Sequence, residues 1–91
     1  MIYAVNYDLC RPGQNYDGLH GAIKSCGDWW HHLGSTWLVH TDLTAEQIYQ
    51  RMAPHIDTND KVLVIRVGND YQGWLPQGAW DWIRQHLSVF A

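Results

Sequence analysis

The sequence predicts an α+β domain: an antiparallel sheet built in the order βαββαβ, with a helix added at the C-terminal end. Three observations carry this reading. Two apolar runs of strand length, IYAVNYDL at residues 2–9 and KVLVIRV at 61–67, stand far apart in the chain. Between them, helical periods at residues 16–26 and 44–56 flank a Trp-rich stretch that reads as two short strands. A last helical period follows Pro76.

The first strand is rich in β-branched and aromatic residues and delivers a carboxylate, Asp8, to the rim of a sheet before the loop CRPGQN, where Pro12-Gly13 stops the extended run. Alternation puts Tyr3, Val5, Tyr7 and Leu9 on one face and Ile2, Ala4, Asn6 and Asp8 on the other. Both faces begin apolar, which suits a central strand. From Tyr16 onward Leu19, Ala22, Ile23 and Cys26 recur at helical spacing, with Asn15 placed to cap the start and Gly27 where a left-handed C-terminal cap is expected. Gly18 and Gly21 either weaken this helix or let it approach the sheet closely. Residues 28–41, DWWHHLGSTWLVHT, read as two strands joined by a tight connection or a bulge at Gly34-Ser35.

In the second helix, Thr44 and Gln47 form a capping box and Leu43 with Ile48 a hydrophobic staple. Its stripe is Ala45, Ile48, Tyr49, Met52 and Ile56, and Pro54 predicts a kink or stop around Met52 or Ala53 because proline lacks the backbone donor. The polar turn at residues 57–60 leads into 61–67, which reads as a second interior strand. After the loop GNDYQG, the last helix turns Ala79, Trp80, Ile83 and Leu87 inward, so Trp80 and Ile83 are expected to be buried, with Trp82 outside the stripe. There are no repeats, low-complexity tracts or linkers, so residues 1–91 read as a single domain.

A domain of 91 residues buries roughly 60–65% of the surface its unfolded chain exposes, so a partner surface would add to a modest stability. Six tryptophans exceed what one small core holds, and some are expected at an interface. The net charge of −3 disfavours nucleic-acid binding, which normally needs a basic face. Cys10 and Cys26 have neither metal-ligand nor redox spacing and are expected to be reduced thiols of a cytoplasmic protein. No apolar run is long enough to span a membrane and no signal peptide is evident.

Strand, helix, strand, strand, helix, strand is the split βαβ arrangement of ferredoxin-like folds, with the first and third strands at the centre and two right-handed crossovers placing both helices on one face. The opposite face, with Ile2, Ala4, Asn6 and Asp8, stays open unless the third helix or a second subunit covers it, and a homodimer is the expectation.

The strand ending in YDL, the PGQ loop, the GDWWHHLGSTWLVHT segment, the LTAEQI helix start and the GWLPQGAWDW tail together resemble the small bacterial family labelled SinR-like, over almost the whole chain. That family is similar to the small CRISPR-associated adaptation endonucleases and, more distantly, to VapD-type toxins. The resemblance implies a ferredoxin-like homodimer in which the two first-strand aspartates, Asp8 here, approach across the two-fold axis and hold Mg²⁺ or Mn²⁺. It also implies a defence or toxin context. This chain departs from the CRISPR proteins in its neutral PGQN loop and its Trp-rich C-terminal helix.

Asp8 is the leading site residue, because hydrolysis of a phosphodiester needs a metal or a donor to offset the charge developing on phosphate oxygens, and carboxylates hold Mg²⁺ or Mn²⁺. Its alternative role is to hydrogen-bond the CRPGQN turn. Asn6 reads as a buried hydrogen-bonding residue, Asp70 as a turn residue with a second-carboxylate role as the alternative. His31, His32 and His40 fall in the strand pair and read as structural, since adjacent strand residues point to opposite faces. His20, His55 and His86 read as solvated residues on helix surfaces or ends. Trp29, Trp30 and Trp37 read as packing under the third helix or at a dimer interface, because base stacking needs an accompanying positive groove that the scattered basic residues do not supply. Two functions compete: a non-catalytic or weakly active dimeric adaptor or regulator that offers a Trp-rich face to a protein, and a metal-dependent endonuclease of RNA or DNA using a paired Asp8.

Overall fold

The computed structural model of the chain describes residues 1–9 and 16–87. Its elements, in order, are β1 (Ile2–Asp8), α1 (Asp17–Lys24), β2 (Asp28–Leu33), β3 (Thr36–His40), α2 (Ala45–Met52), a 3₁₀ turn (Ala53–His55), β4 (Lys61–Arg66) and α3 (Gln77–His86). The strands form one antiparallel sheet in the order β2-β3-β1-β4, so the architecture is mixed α+β, with three α-helices among the described residues.

β1 is an inner strand: Val5 faces Trp37 of β3 on one side and Val64 of β4 on the other. The second inner strand is β3, whose Trp37, Leu38 and Val39 are all buried. The apolar run of β4 misleads here. Among the described residues β4 is an edge strand paired only with β1, with Val62 and Val64 half-buried toward the helices and Leu63 and Ile65 exposed on the other side. A continuous apolar run reports burial on both faces only where both faces are covered, and one face of β4 is bare.

Two cores flank the sheet. On one side Tyr3, Val5 and Val39 pack against Leu19 and Ile23 of α1 and Ile48 and Met52 of α2. On the other, Ile2, Trp30 and Leu38 pack against Ala79 and Ile83 of α3, and the Trp30 indole donates to the Ala79 carbonyl at 3.4 Å.

Local chemistry explains most boundaries. Thr44 accepts from the Gln47 amide at 3.1 Å while the Gln47 side chain accepts from the Thr44 amide at 2.9 Å, which satisfies two orphan donors at the start of α2. Pro54 sits in the 3₁₀ turn that ends the regular helix at Met52. Tyr49, expected on the inward stripe of α2, is exposed, so the stripe is narrower than its period indicates. Gly27 does not form the expected left-handed cap: α1 ends at Ser25 in a right-handed conformation, and Gly27 adopts φ 157° beside the His40 carbonyl oxygen, where an added Cβ would collide. The expected Asn15 cap lies outside the described residues. Trp80 is only half-buried, its ring stacked on Tyr71 with centroids 6.1 Å apart, whereas Ile83 is buried as expected. Among the described residues no helix is long and apolar enough to cross a membrane.

Candidate functional site

Strand register fixes which side chains share the face opposite α1 and α2, because directly paired residues project to the same side. Across the sheet the rows are Trp30, Leu38, Ala4 and Ile65; then Leu33, Thr36, Asn6 and Leu63; and at the rim Asp8 with Lys61. α3 packs over the β2 and β3 end of this face and leaves the β4 side uncovered, with Leu63 59% and Ile65 52% exposed. Beside it runs an apolar groove of about 350 Å³ lined by Trp30, Leu33, Tyr71, Trp74 and Trp80, and Trp74 at its edge is 98% exposed. This open face and groove gather the exposed Leu33, Leu63, Ile65 and Trp74 on the α3 side of the sheet.

Asp8 lies at the rim of the same face, exposed, in a shallow depression of about 290 Å³ shared with Asn6, Tyr7 and Lys61. Asn6 is held in the sheet: it accepts from the Thr36 hydroxyl at 2.9 Å and donates to the Leu63 carbonyl at 3.4 Å. Asp70 cannot serve Asp8 as a second carboxylate. β4 runs antiparallel to β1, so Asp70 follows the end of β4 beside Tyr3, whereas Asp8 faces Lys61 at its start, roughly 17 Å of strand away. Mg²⁺ or Mn²⁺ does not fit the ligands one chain offers at Asp8. An ammonium stands opposite the single carboxylate, and no group of three metal-ligating side chains that includes Asp8 forms among the described residues. The CRPGQN turn, and with it the turn-bonding role for Asp8, lies outside the described residues.

The three tryptophans singled out in the sequence separate. Trp30 is buried beneath α3, Trp37 is buried on the helix side, and Trp29 is 41% exposed at the edge strand with the Lys24 ammonium 4.9 Å from its ring centroid. Trp29 follows the Val39 row on the α1 side, while Trp74 borders the groove on the α3 side, so the exposed indoles build no continuous stacking platform. His31 and His32 do point to opposite faces: His31 stacks on Trp37, and His32 meets Trp30 edge-on. His20 is not solvated. It is half-buried among Tyr7, His31 and Trp37, and burial pushes its pKa down, with the His31 charge and then Lys24 adding to this and Asp17 opposing it.

His86 also departs from its expected solvated position. It stacks on Trp82 with centroids 4.3 Å apart and turns Nε2 to within 3.4 Å of Asp28 Oδ2, beside His40. The hairpin register, which pairs Asp28 with His40, was within reach of the sequence; the crossing of α3 that adds His86 was not. Nearby, Cys26 is a buried free thiol whose pKa burial raises, against the Arg51 charge and hydrogen bonds from Ser25 and Arg51, which makes it a poor nucleophile.

Compared with protein-family models, with curated proteins and with solved structures, the chain matches none.

Proposed function

We propose that the chain is a dimeric adaptor or regulator, non-catalytic or weakly active, built on a ferredoxin-like scaffold related to the CRISPR-associated adaptation endonucleases and working in a defence or toxin context. The observation that carries it is the uncovered β4 side of the sheet, where Leu63 and Ile65 are exposed, beside a groove bordered by the exposed Leu33 and Trp74. Exposed apolar side chains gathered on one side of so small a domain point to an association site. Element order and strand order support the ferredoxin-like reading, since each strand-helix-strand crossover leaves its helix on the same face and the first and third strands inside. A second copy is the first occupant, because an isologous sheet-to-sheet contact covers the same patch on both chains, and the groove beside it then serves a protein partner.

The endonuclease reading keeps one supporting observation: Asp8 shares the open face with Leu63 and Ile65, so a two-fold axis through that face supplies the second carboxylate that one chain lacks. Sedimentation velocity tests the primary reading. A dimer at micromolar concentration supports it, and a monomer at all accessible concentrations overturns it.

A further inference from the structure

We infer that Asp28, His40 and His86 form a binding site for a zinc-class transition-metal ion that fastens the C-terminal end of α3 to the β2–β3 edge of the sheet. This site is separate from Asp8 and independent of the proposed function. Three elements converge on it for reasons already in the chain. Asp28 and His40 are cross-strand partners, so their side chains leave the sheet on the same side, the side that α3 covers. His86 closes the last turn of α3, where the Trp82 stack holds its ring. One ligand atom from each of the three residues can be chosen so that all lie within 4.8 Å of one another.

The hydrogen bonding of His86 points to a cation. Its Nδ1 lies 2.8 Å from the Trp82 carbonyl oxygen, an acceptor, so Nδ1 carries the proton. In the neutral ring Nε2 is then a lone pair, and it faces the Asp28 carboxylate at 3.4 Å, acceptor against acceptor. A second proton on His86 would resolve that pair alone, without engaging His40, whose ring meets the His86 ring edge-on with centroids 5.0 Å apart. A metal resolves all three. Zinc bonds to His nitrogen and carboxylate oxygen at about 2.0–2.2 Å, which in a tetrahedron sets neighbouring ligand atoms about 3.3–3.5 Å apart, the Asp28 to His86 separation. The carbonyl bond to Nδ1 is the outer support that orients a zinc-ligating imidazole. Two nitrogens among three donors select zinc, cobalt or nickel over magnesium and calcium, which prefer all-oxygen shells. The fourth position is left to water beside a depression of about 440 Å³ that Asp28 and His40 border.

The test titrates ZnCl₂ into the full chain after EDTA treatment, by calorimetry and by thermal melting, with Co²⁺ as a spectroscopic substitute. One zinc per chain, a raised melting temperature reversed by EDTA, and the strong visible bands of four-coordinate cobalt are expected. Asp28→Asn should weaken zinc binding by at least about tenfold and His86→Gln by more, with the zinc-dependent rise in melting temperature lost, while His32→Gln stays like wild type. Asp28 is largely exposed, so Asp28→Asn folds even if His86→Gln does not. The inference is overturned if zinc does not saturate, or if Asp28→Asn binds it as wild type does. It is equally overturned if Asp28→Asn lowers the melting temperature of the metal-free protein while zinc leaves wild type unchanged, the signature of a simple ion pair.

Discussion

The imidazole of His31 lies flat on the indole of Trp37, with centroids 3.9 Å apart and planes 15° from parallel. Trp37 is buried and donates its indole hydrogen to the Tyr7 hydroxyl at 3.0 Å, so one residue of β3 ties the β2 edge to β1. Trp37→Ala should therefore cost about 3–5 kcal/mol, a large fraction of the stability of so small a domain. Tyr7→Phe keeps the packing but strands a buried N–H, at about 1–3 kcal/mol. Urea midpoints for both variants, with unchanged slopes, are the measurement, and a wild-type midpoint for Tyr7→Phe would show that the indole finds another acceptor.

The same cluster makes stability depend on pH. His20 has a folded-state pKa below its ordinary value of 6.5, and the groups around it, Tyr7, His31, Trp37, Lys24 and Asp17, leave burial and positive charge dominant. A depressed pKa means that the unfolded chain takes up a proton first as pH falls. The His20 contribution is complete above about pH 6.5, declines below that value, and levels off once the folded-state pKa is passed. Melting temperatures from pH 8 to 5 should fall on the acid side, and His20→Gln should flatten that fall. A slope unchanged in the variant would assign the dependence to other groups.

Gly27→Ala should destabilise the fold although Gly27 is exposed on the surface. The added Cβ meets the His40 backbone carbonyl, which cannot move without shifting β3 against β2, and the φ of 157° strains any L side chain. A cost of about 1–3 kcal/mol in chemical denaturation is expected. Gly21→Ala is the control, since nothing lies near its Cβ, and there a helix interior should gain up to about 1 kcal/mol.

Much of this architecture is legible in the sequence because local signals settle it. The Thr44 capping box, the Pro54 stop and the alternation of Ile2 through Asp8 each act within a few residues, and each corresponds to an observed feature. What escaped is set by contacts distant in sequence. The edge position of β4 depends on which strands pair, and the burial of Trp80 depends on where residues 68–75 run. The placement of His86 beside Asp28 depends on how α3 crosses the sheet. Gly27 shows the limit at a single residue: its helix-end position matches a left-handed cap, yet the need for glycine comes from a strand thirteen residues later.

The open face yields the last prediction. Ile65 is exposed at the uncovered side of the sheet, so in a monomer Ile65→Lys is a surface change worth within about 0.5 kcal/mol. In a dimer closed through that face it buries two ammonium groups near the two-fold axis and should weaken association by tenfold or more while leaving the monomer folded. Asp8→Asn probes the other end of the same face. Its carboxylate is exposed in one chain, but two copies meeting across the axis repel, and the amide removes that repulsion. Asp8→Asn should therefore dimerise at least as tightly as wild type without metal. If Asp8 pairs across the axis, Mn²⁺ tightens the wild-type dimer and not the variant, and any cleavage of RNA or DNA disappears with the carboxylate. Sedimentation of the three proteins with and without Mn²⁺, beside a cleavage assay, separates the outcomes. An Ile65→Lys protein that associates like wild type places the interface elsewhere, and an Asp8→Asn protein that cleaves like wild type removes Asp8 from any nuclease site.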